Sequence, residues 1–538
     1  MPEHPRSAVP ITRRRALAVA AAVTAATTVH SAVPPVAAAT GRRPEPTYGL
    51  LIDMREHGAA GDGVTDDTEA LNTALDEVER NGGGTIYLPP GTYPVGNSAR
   101  PRLRDNLTIV GNDATILKAG PNGALFVALS RGRSGYGTGV RHVRIRGLRF
   151  LGSFRDTRLM CPFALNHASD VVVERCTFEQ VQGSRHSFDL NACEDVVIRD
   201  CTFLGYHDNE GYQNSECIQV DYSYNGALSY SDEPGSHSGL MSRRITVEDC
   251  QFLPIRADGV DYPCPNPFGS HGLKEGSWFT DLTFRRNVVV DPIHAPATSD
   301  GPNVGHDRGL IHLPTSSRVR IERNRFVQTR PGMLRAISFC AASYVITTQS
   351  DPNAFPPVKE TLEHPLDCHD IRIRDNVFQG FRATDPTVPP QQVIFLGGLP
   401  DGGELRNVEI RGNRFDDSDH PTVSGAPAIE ARYVHGLTVA GNTFDRSSRL
   451  VRVDESCRDV RIESSTATSV TGSVAAIDVA ASLYTVTGNR LRGRRPRPDV
   501  GVAIGDGSPG LVARNTITGF TEAVRTPQPL PEGVVVRH

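Results

Sequence analysis

Carboxylates, imidazoles and one ammonium recur through the middle of this chain in a pattern that suits sugar chemistry. Asp189 sits in Phe188-Asp189-Leu190-Asn191, and Asp221 closes Ser215-Glu216-Cys217-Ile218-Gln219-Val220-Asp221. Ser270-His271-Gly272-Leu273-Lys274 and Leu310-Ile311-His312-Leu313 follow. Hydrolysis of a glycosidic bond needs two carboxyl groups, about 5 Å apart for retention or about 6.5–9.5 Å apart for inversion. Carboxylates on neighbouring strands repel, so one can keep its proton and act as general acid. Asp189 with Asp221 fits the shorter spacing; Asp221 with Glu216 or Asp261 fits the longer. Abstraction of the proton α to a uronate carboxylate needs a base instead, and a desolvated Lys274 would serve. His271, flanked by glycines that let substrate approach, is the histidine best placed to assist. The binding candidates are Gln219, His312, Asp307, Arg308, Tyr222 and Trp278. Asp307-Arg308 can orient a hydroxyl or carboxylate. Tyr206, Tyr212, Tyr222, Tyr224, Tyr230, Tyr262 and Trp278 offer flat apolar faces on which sugars stack.

Strands must position these groups. Side chains alternate across a strand, so with Phe188 and Leu190 inside, Asp189 and Asn191 face out. Gln219, Asp221 and His312 face out by the same logic, and so does Lys274 if Leu273 points in. Glu216 shares parity with Ile218 and belongs at the strand's edge. In register, Asp189, Asp221, Lys274 with His271, and His312 form one outward column, its rungs about 4.8 Å apart.

The register comes from a repeat. The phrase apolar-x-apolar-x-x-(Asn/Cys)-x-Phe begins at Val171, Val196, Ile245, Val319, Ile371, Val408 and Leu437, with weaker copies at Leu107, Val143, Leu282, Val460, Tyr484 and Gly510. Period-2 spacing inside a repeat of tens of residues means strands stacked in a solenoid. Stacking superposes the Asn/Cys slots, so the fold class is all-β, a right-handed parallel β-helix. Successive slots are 25 residues apart at Cys176–Cys201 and 29 at Asn413–Asn442, but 49, 37, 37 and 52 from Cys201 up to Asn376. Long loops therefore cluster over about 204–368, and long loops on a rigid scaffold usually carry function.

Net charge is −4, so no global basic field favours nucleic acid. From 205 to 312 there are fifteen Asp/Glu against seven Lys/Arg, an acidic wall that would repel a polyuronate unless Ca²⁺ bridged the carboxylates. No specific metal motif is written here. Cys176, Cys201 and Cys250 fill the slot that later coils give to Asn and should pack inward as small hydrophobes. Cys340 and Cys368 flank an insertion and are the best-placed disulfide pair. Residues 1–39 read as an export signal, with Thr12-Arg13-Arg14-Arg15, an Ala-rich run and a small-residue site at Ala37-Ala38-Ala39. The arginine pair resembles a twin-arginine signal, which implies secretion. Residues 40–48 form a linker to one solenoid over 49–530, and no later stretch is apolar enough to span a membrane.

His57-Gly58-Ala59-Ala60-Gly61-Asp62-Gly63-Val64-Thr65-Asp66-Asp67-Thr68, a helix over about 66–80, and Gly82-Gly83-Gly84-Thr85-Ile86-Tyr87-Leu88-Pro89-Pro90-Gly91-Thr92-Tyr93 complete the picture. This opening resembles that of the pectate-lyase-like superfamily of right-handed parallel β-helices, which includes rhamnogalacturonases, epimerases and phage tailspikes. Asp66 with Glu69 reads as a capping box, and the helix would plug the open first coil. The resemblance implies a polysaccharide or oligosaccharide substrate and leaves monomer or trimer open. Three readings follow: a glycoside hydrolase using paired carboxylates, a polysaccharide lyase or uronate epimerase using Lys274, and a carbohydrate-binding β-helix without catalysis.

Overall fold

A computed structural model describes residues 49–96, 100–120, 123–130, 132–156, 159–183, 186–207, 216–228, 237–270, 272–292, 309–330, 335–345, 360–381, 392–417, 427–472, 474–506 and 509–537. The expected export signal (1–39) and linker (40–48), with His271, Asp307, Arg308, Tyr212 and Tyr230, lie outside them.

The thirteen copies of the repeat stack in parallel register. Leu107, Val143, Val171, Val196 and Ile245 occupy successive rungs, and Val319, Ile371, Val408, Leu437, Val460, Tyr484 and Gly510 continue the column. The copy at Leu282 bridges the two runs through Val247↔Phe284↔Ile321. The first two copies lie in unbroken strands, Leu107–Lys118 and Val140–Leu151. From the third on, a sharp bend before the slot splits the copy into two short strands, such as Glu194–Arg199 and Thr202–Leu204. The bend residue is left-handed, with φ of 53° at Asp200 and 67° at Gly412, a conformation that Asp and Gly tolerate best. A third strand per coil builds a separate sheet of thirteen parallel strands, running from Gly123–Ala128 to Glu522–Arg525. The apolar column Phe163, Phe188, Ile218, Phe268, Ile311, Ile337 and Ile394 lines its inner face.

Inside, aromatic rings stack coil on coil: Phe178, Phe203 and Phe252 at 4.7 and 4.8 Å, and Phe378, Phe415 and Phe444 at 5.0 and 4.8 Å. The slot is an inward ladder. Asn324 Nδ2 donates to Phe284 O at 2.9 Å, its Oδ1 accepts Asn287 N at 2.9 Å, and its own N–H donates to Asn376 Oδ1 at 2.9 Å. Asn324→Ala leaves buried backbone groups unpaired and should destabilise the fold by roughly 1–3 kcal/mol. Equilibrium unfolding checks this, and a melt superimposable on wild type would remove the ladder from the stability of the fold.

Cys176, Cys201 and Cys250 occupy the slot as buried thiols, and burial holds Cys176 and Cys201 well above the usual thiol range. The expected Cys340–Cys368 disulfide is absent. All ten cysteines are free and buried, and Cys368 Sγ lies 3.8 Å from the Cys340 carbonyl oxygen. The helix runs Thr68–Arg80 and covers the first coil with Leu71, Ala74, Leu75 and Val78. It begins two residues later than the capping-box reading placed it. Asp66 accepts Thr68 N at 3.0 Å, while Asp67 is drawn back to Ala60 N at 2.6 Å and Gly61 N at 3.0 Å.

Candidate active site

The outer face of the thirteen-stranded sheet carries the predicted residues, but in a different register and not in solvent. Asp189 sits beside Gln219, and Asn191 beside Asp221. The two carboxylates are therefore diagonal. One rung across and two residues along puts their Cα atoms about 8 Å apart, not on adjacent rungs. Each carboxylate accepts from the amide two residues away on its own strand. Asn191 Nδ2 donates to Asp189 Oδ1 at 2.7 Å, and Gln219 Nε2 donates to Asp221 Oδ2. Asp221 Oδ1 also accepts Gly272 N at 2.6 Å. All four side chains are 0% exposed, so this outward face is an interior of its own. Carboxylates are tolerated there because donors meet them. Asn191 Oδ1 and Gln219 Oε1 have no hydrogen-bond partner among the described residues.

Glu216 belongs to the same face. Cys217 and Ile218 both enter the core, so the alternation slips at the strand's corner and Glu216 emerges outside. Its Oε1 lies 2.6 Å from His312 Nε2, two rungs away, and the residue between them is Gly269. A Cβ at Gly269 would stand 2.5 Å from Glu216 Cγ and 2.7 Å from His312 Cε1, so only glycine lets this pair meet. His186 closes the other side, its Nδ1 2.7 Å from the Glu216 carbonyl oxygen and 3.7 Å from Oε2.

Comparison with known proteins covers part of this geometry. The profile of "Rhamnogalacturonase A/epimerase, pectate lyase-like" matches residues 51–252. Residues 51–252 are thus similar to the pectate-lyase-like family, and the described strands stack as a parallel β-helix. The matched stretch holds Asp189, Glu216, Gln219 and Asp221 and ends before Gly269 and His312. Mannuronan C5-epimerase AlgE6 of Azotobacter vinelandii is 44% identical over 64 residues, 11% of this chain and 7% of that protein. Alginate lyase 7 of the same organism is 41% identical over 71 residues, 13% of this chain and 8% of that protein. The chain thus matches less than a tenth of the length of either relative. Among solved structures, the tailspike protein of E. coli bacteriophage HK620 in complex with pentasaccharide superposes with a TM-score of 0.57. That match has 14% identity and covers 90% of this chain and 80% of that one. The Streptococcus pneumoniae surface protein and adhesin PfbA gives 0.54 at 14% identity, covering 91% and 100%. These two structures show the shared fold.

Other predicted members of the site fall elsewhere on the β-helix. The strand that should have carried Lys274 ends at Gly269, so Lys274 lies in the following loop, where its Nζ donates to Gly239 O at 2.7 Å. Leu273 points into a satellite cluster with Ala342, Leu362 and Leu366 instead of the main core. Asp261 sits on a hairpin and pairs with Arg256 and Arg330, away from Asp221. Tyr222 is 1% exposed and packs in the core against Tyr224 at 4.7 Å, so it offers no face to a sugar. Burial first, then the Asp221 charge, pushes the Tyr224 phenol well above its usual range. Trp278 is half-buried, donates to Asp367 Oδ1 at 2.7 Å and meets His369 edge-on.

Sequence reasoning missed Asn191, His186 and Gly269 as site residues. Asn191 shares the parity of Asp189, which was signal enough. Nothing local marks Gly269, whose neighbours lie 53 positions before it and 43 after it.

Proposed function

We propose that this β-helix is a polysaccharide-active enzyme that hydrolyses glycosidic bonds on the outer face of the thirteen-stranded sheet. The observation that carries the reading is the Glu216–His312 approach of 2.6 Å over Gly269, on the same buried face as Asp221. The two atoms do not meet in hydrogen-bond geometry, but the approach puts an imidazole within reach of the Glu216 carboxyl for proton exchange, which suits Glu216 to protonate a leaving sugar oxygen. Asp221 receives two N–H donors, an arrangement that complements an ionised carboxylate and suits it to activate water. Glu216 leans along its strand toward Gly269, at the level of Gln219 and two residues from Asp221. The carboxyl groups are then separated by about 7 Å of strand rise, within the range for inversion. The amide oxygens of Asn191 and Gln219 can accept sugar hydroxyls.

A uronate lyase or C5-epimerase is the second reading, supported by the matched relatives. In it the base would be His312, since Lys274 stands off the sheet. Polysaccharides incubated with the purified protein separate the two readings. Hydrolysis yields reducing ends without ultraviolet-absorbing unsaturated ends, lysis yields both, and epimerisation yields neither but changes the uronate composition. Glu216→Gln should lower kcat by about 10²–10⁴-fold, while Lys274→Ala should leave kcat near wild type. Unsaturated ends from wild type would overturn the hydrolase, and tight binding with no product from any polymer would leave a carbohydrate-binding β-helix.

A further inference from the structure

Beyond His312 the same outward column changes character. Ser338, Phe395, Glu430 and Arg452 follow His312 on successive rungs. Glu430 is thus three rungs, about 14 Å, from the acid–imidazole pair. Its buried carboxylate is a hub. Oε2 accepts the Gln392 amide, Oε1 takes Arg432 Nε at 2.9 Å and Nη2 at 2.6 Å, and Arg452 Nη1 approaches Oε1 only to 3.6 Å. A third guanidinium, Arg335, lies 4.2 Å over the Phe395 ring and donates to Gln392 Oε1 at 2.8 Å. Three cations therefore gather around one carboxylate and one aromatic ring. Asp478 stands on the next rung beside Arg452 but lies 3.7 Å from a fourth guanidinium, Arg449, and Asp454 accepts from Ser456. The side chains of Arg432 and Arg452 are 47% and 44% exposed.

Packing does not require this. One guanidinium would neutralise Glu430, and bringing a second to the same oxygen beside a third raises like-charge repulsion unless an anion is received. Guanidinium forks match carboxylate and sulfate oxygens bidentately. We infer that Arg432 and Arg452, oriented by Glu430 beside the Arg335–Phe395 stack, form a subsite for the anionic group of an acidic sugar, a uronate carboxylate or a sulfate ester. The inference rests on reading this sheet as a polysaccharide groove and names the substrate class as an anionic polymer. Glu216 and Asp221 then face the reacting linkage, while the charged substituent several sugar rings along is held by arginine.

The test is binding by the intact protein, measured apart from turnover. Affinity electrophoresis and calorimetry use a polyuronate, its carboxyl-reduced neutral form, and a sulfated glycan. Wild type should bind one of the two anionic polymers at least tenfold more tightly than the neutral one, with affinity falling as salt rises. Arg432→Ala with Arg452→Ala should remove that tenfold preference and flatten the salt dependence. Removing Arg432 strips the buried Glu430 of its closest cation, so the double variant should melt lower. Arg452→Ala alone, which breaks only the 3.6 Å approach, should keep the wild-type melt and lose part of the preference, and Arg452→Lys should restore some of it. Equal binding of neutral and anionic polymers, binding of neither anionic polymer, or an unchanged preference in the double variant would overturn the subsite. If the double variant loses binding and wild type turns over no polymer, the subsite stands and the enzyme reading fails. If wild type turns over and the variant's preference is intact, the subsite alone fails.

Discussion

Asp221→Asn is expected to lose both turnover and stability. The carboxylate is fully buried and accepts from Gly272 N at 2.6 Å and from the Gln219 amide. An asparagine keeps one acceptor oxygen and turns an NH2 group toward one of those two donors. Two donors then face each other at a buried position, and an unsatisfied buried polar group costs about 1–3 kcal/mol. Loss of an acid or base from the mechanism costs about 10²–10⁴-fold in rate. An outward-facing strand carboxylate read from alternation alone would predict loss of rate without loss of stability, and burial removes that distinction. Thermal melting beside steady-state kinetics checks both. Wild-type kcat would take Asp221 out of the chemistry, and an unchanged melt would mean its donors find water instead.

What could be read from the chain, and what could not, divides along the range of the interaction. The repeat is local: eight residues carry the apolar spacing, the slot and the Phe, and the thirteen copies stack as their spacing requires. Asp189, Gln219, Asp221 and His312 face outward because period 2 is a property of a single strand. Register is not local. It depends on where each coil's corner falls, and at Cys217–Ile218 two consecutive residues enter the core, which frees Glu216 to the outer face and places Asp189 beside Gln219. Lys274 was misplaced for a related reason. Leu273 is apolar and buried, but in a satellite cluster beyond the strand's end, so alternation carried across that end had no strand beneath it.

Burial of the outer face is the other property that pattern could not supply. A strand facing solvent and a strand facing a covered groove alternate identically. The difference shows only in residue type: Asp, Asn, Gln and Glu sit side by side on adjacent strands with donors matched to acceptors. Tyr222 illustrates the cost of missing it, since an aromatic just past a strand end was counted as a sugar platform and is in fact core. The face continues past His312 to Phe395 and Glu430, outside the span matched by the family profile.

Gly269→Ala should do more damage to catalysis than its one methyl group suggests. The added Cβ would stand 2.5 Å from Glu216 Cγ and 2.9 Å from His312 Nε2, closer than carbon contacts allow. Glu216 is 2% exposed and His312 0%, so neither side chain has free volume to retreat into. Overpacking of this kind typically costs about 1–3 kcal/mol in stability. The pair that now meets at 2.6 Å would be prised apart, and a misplacement of about 1 Å at a reacting group can cost about 10²-fold in rate. The expected result is a folded protein with kcat down by that order and substrate binding little changed, because Gly269 itself need not touch the sugar. Glu216→Gln provides the comparison. If Glu216 donates the proton, adding Gly269→Ala to Glu216→Gln should cost little further rate, since the geometry no longer serves a proton transfer. If the two losses multiply instead, the glycine acts on something other than the Glu216–His312 pair, and the acid role proposed for that pair fails.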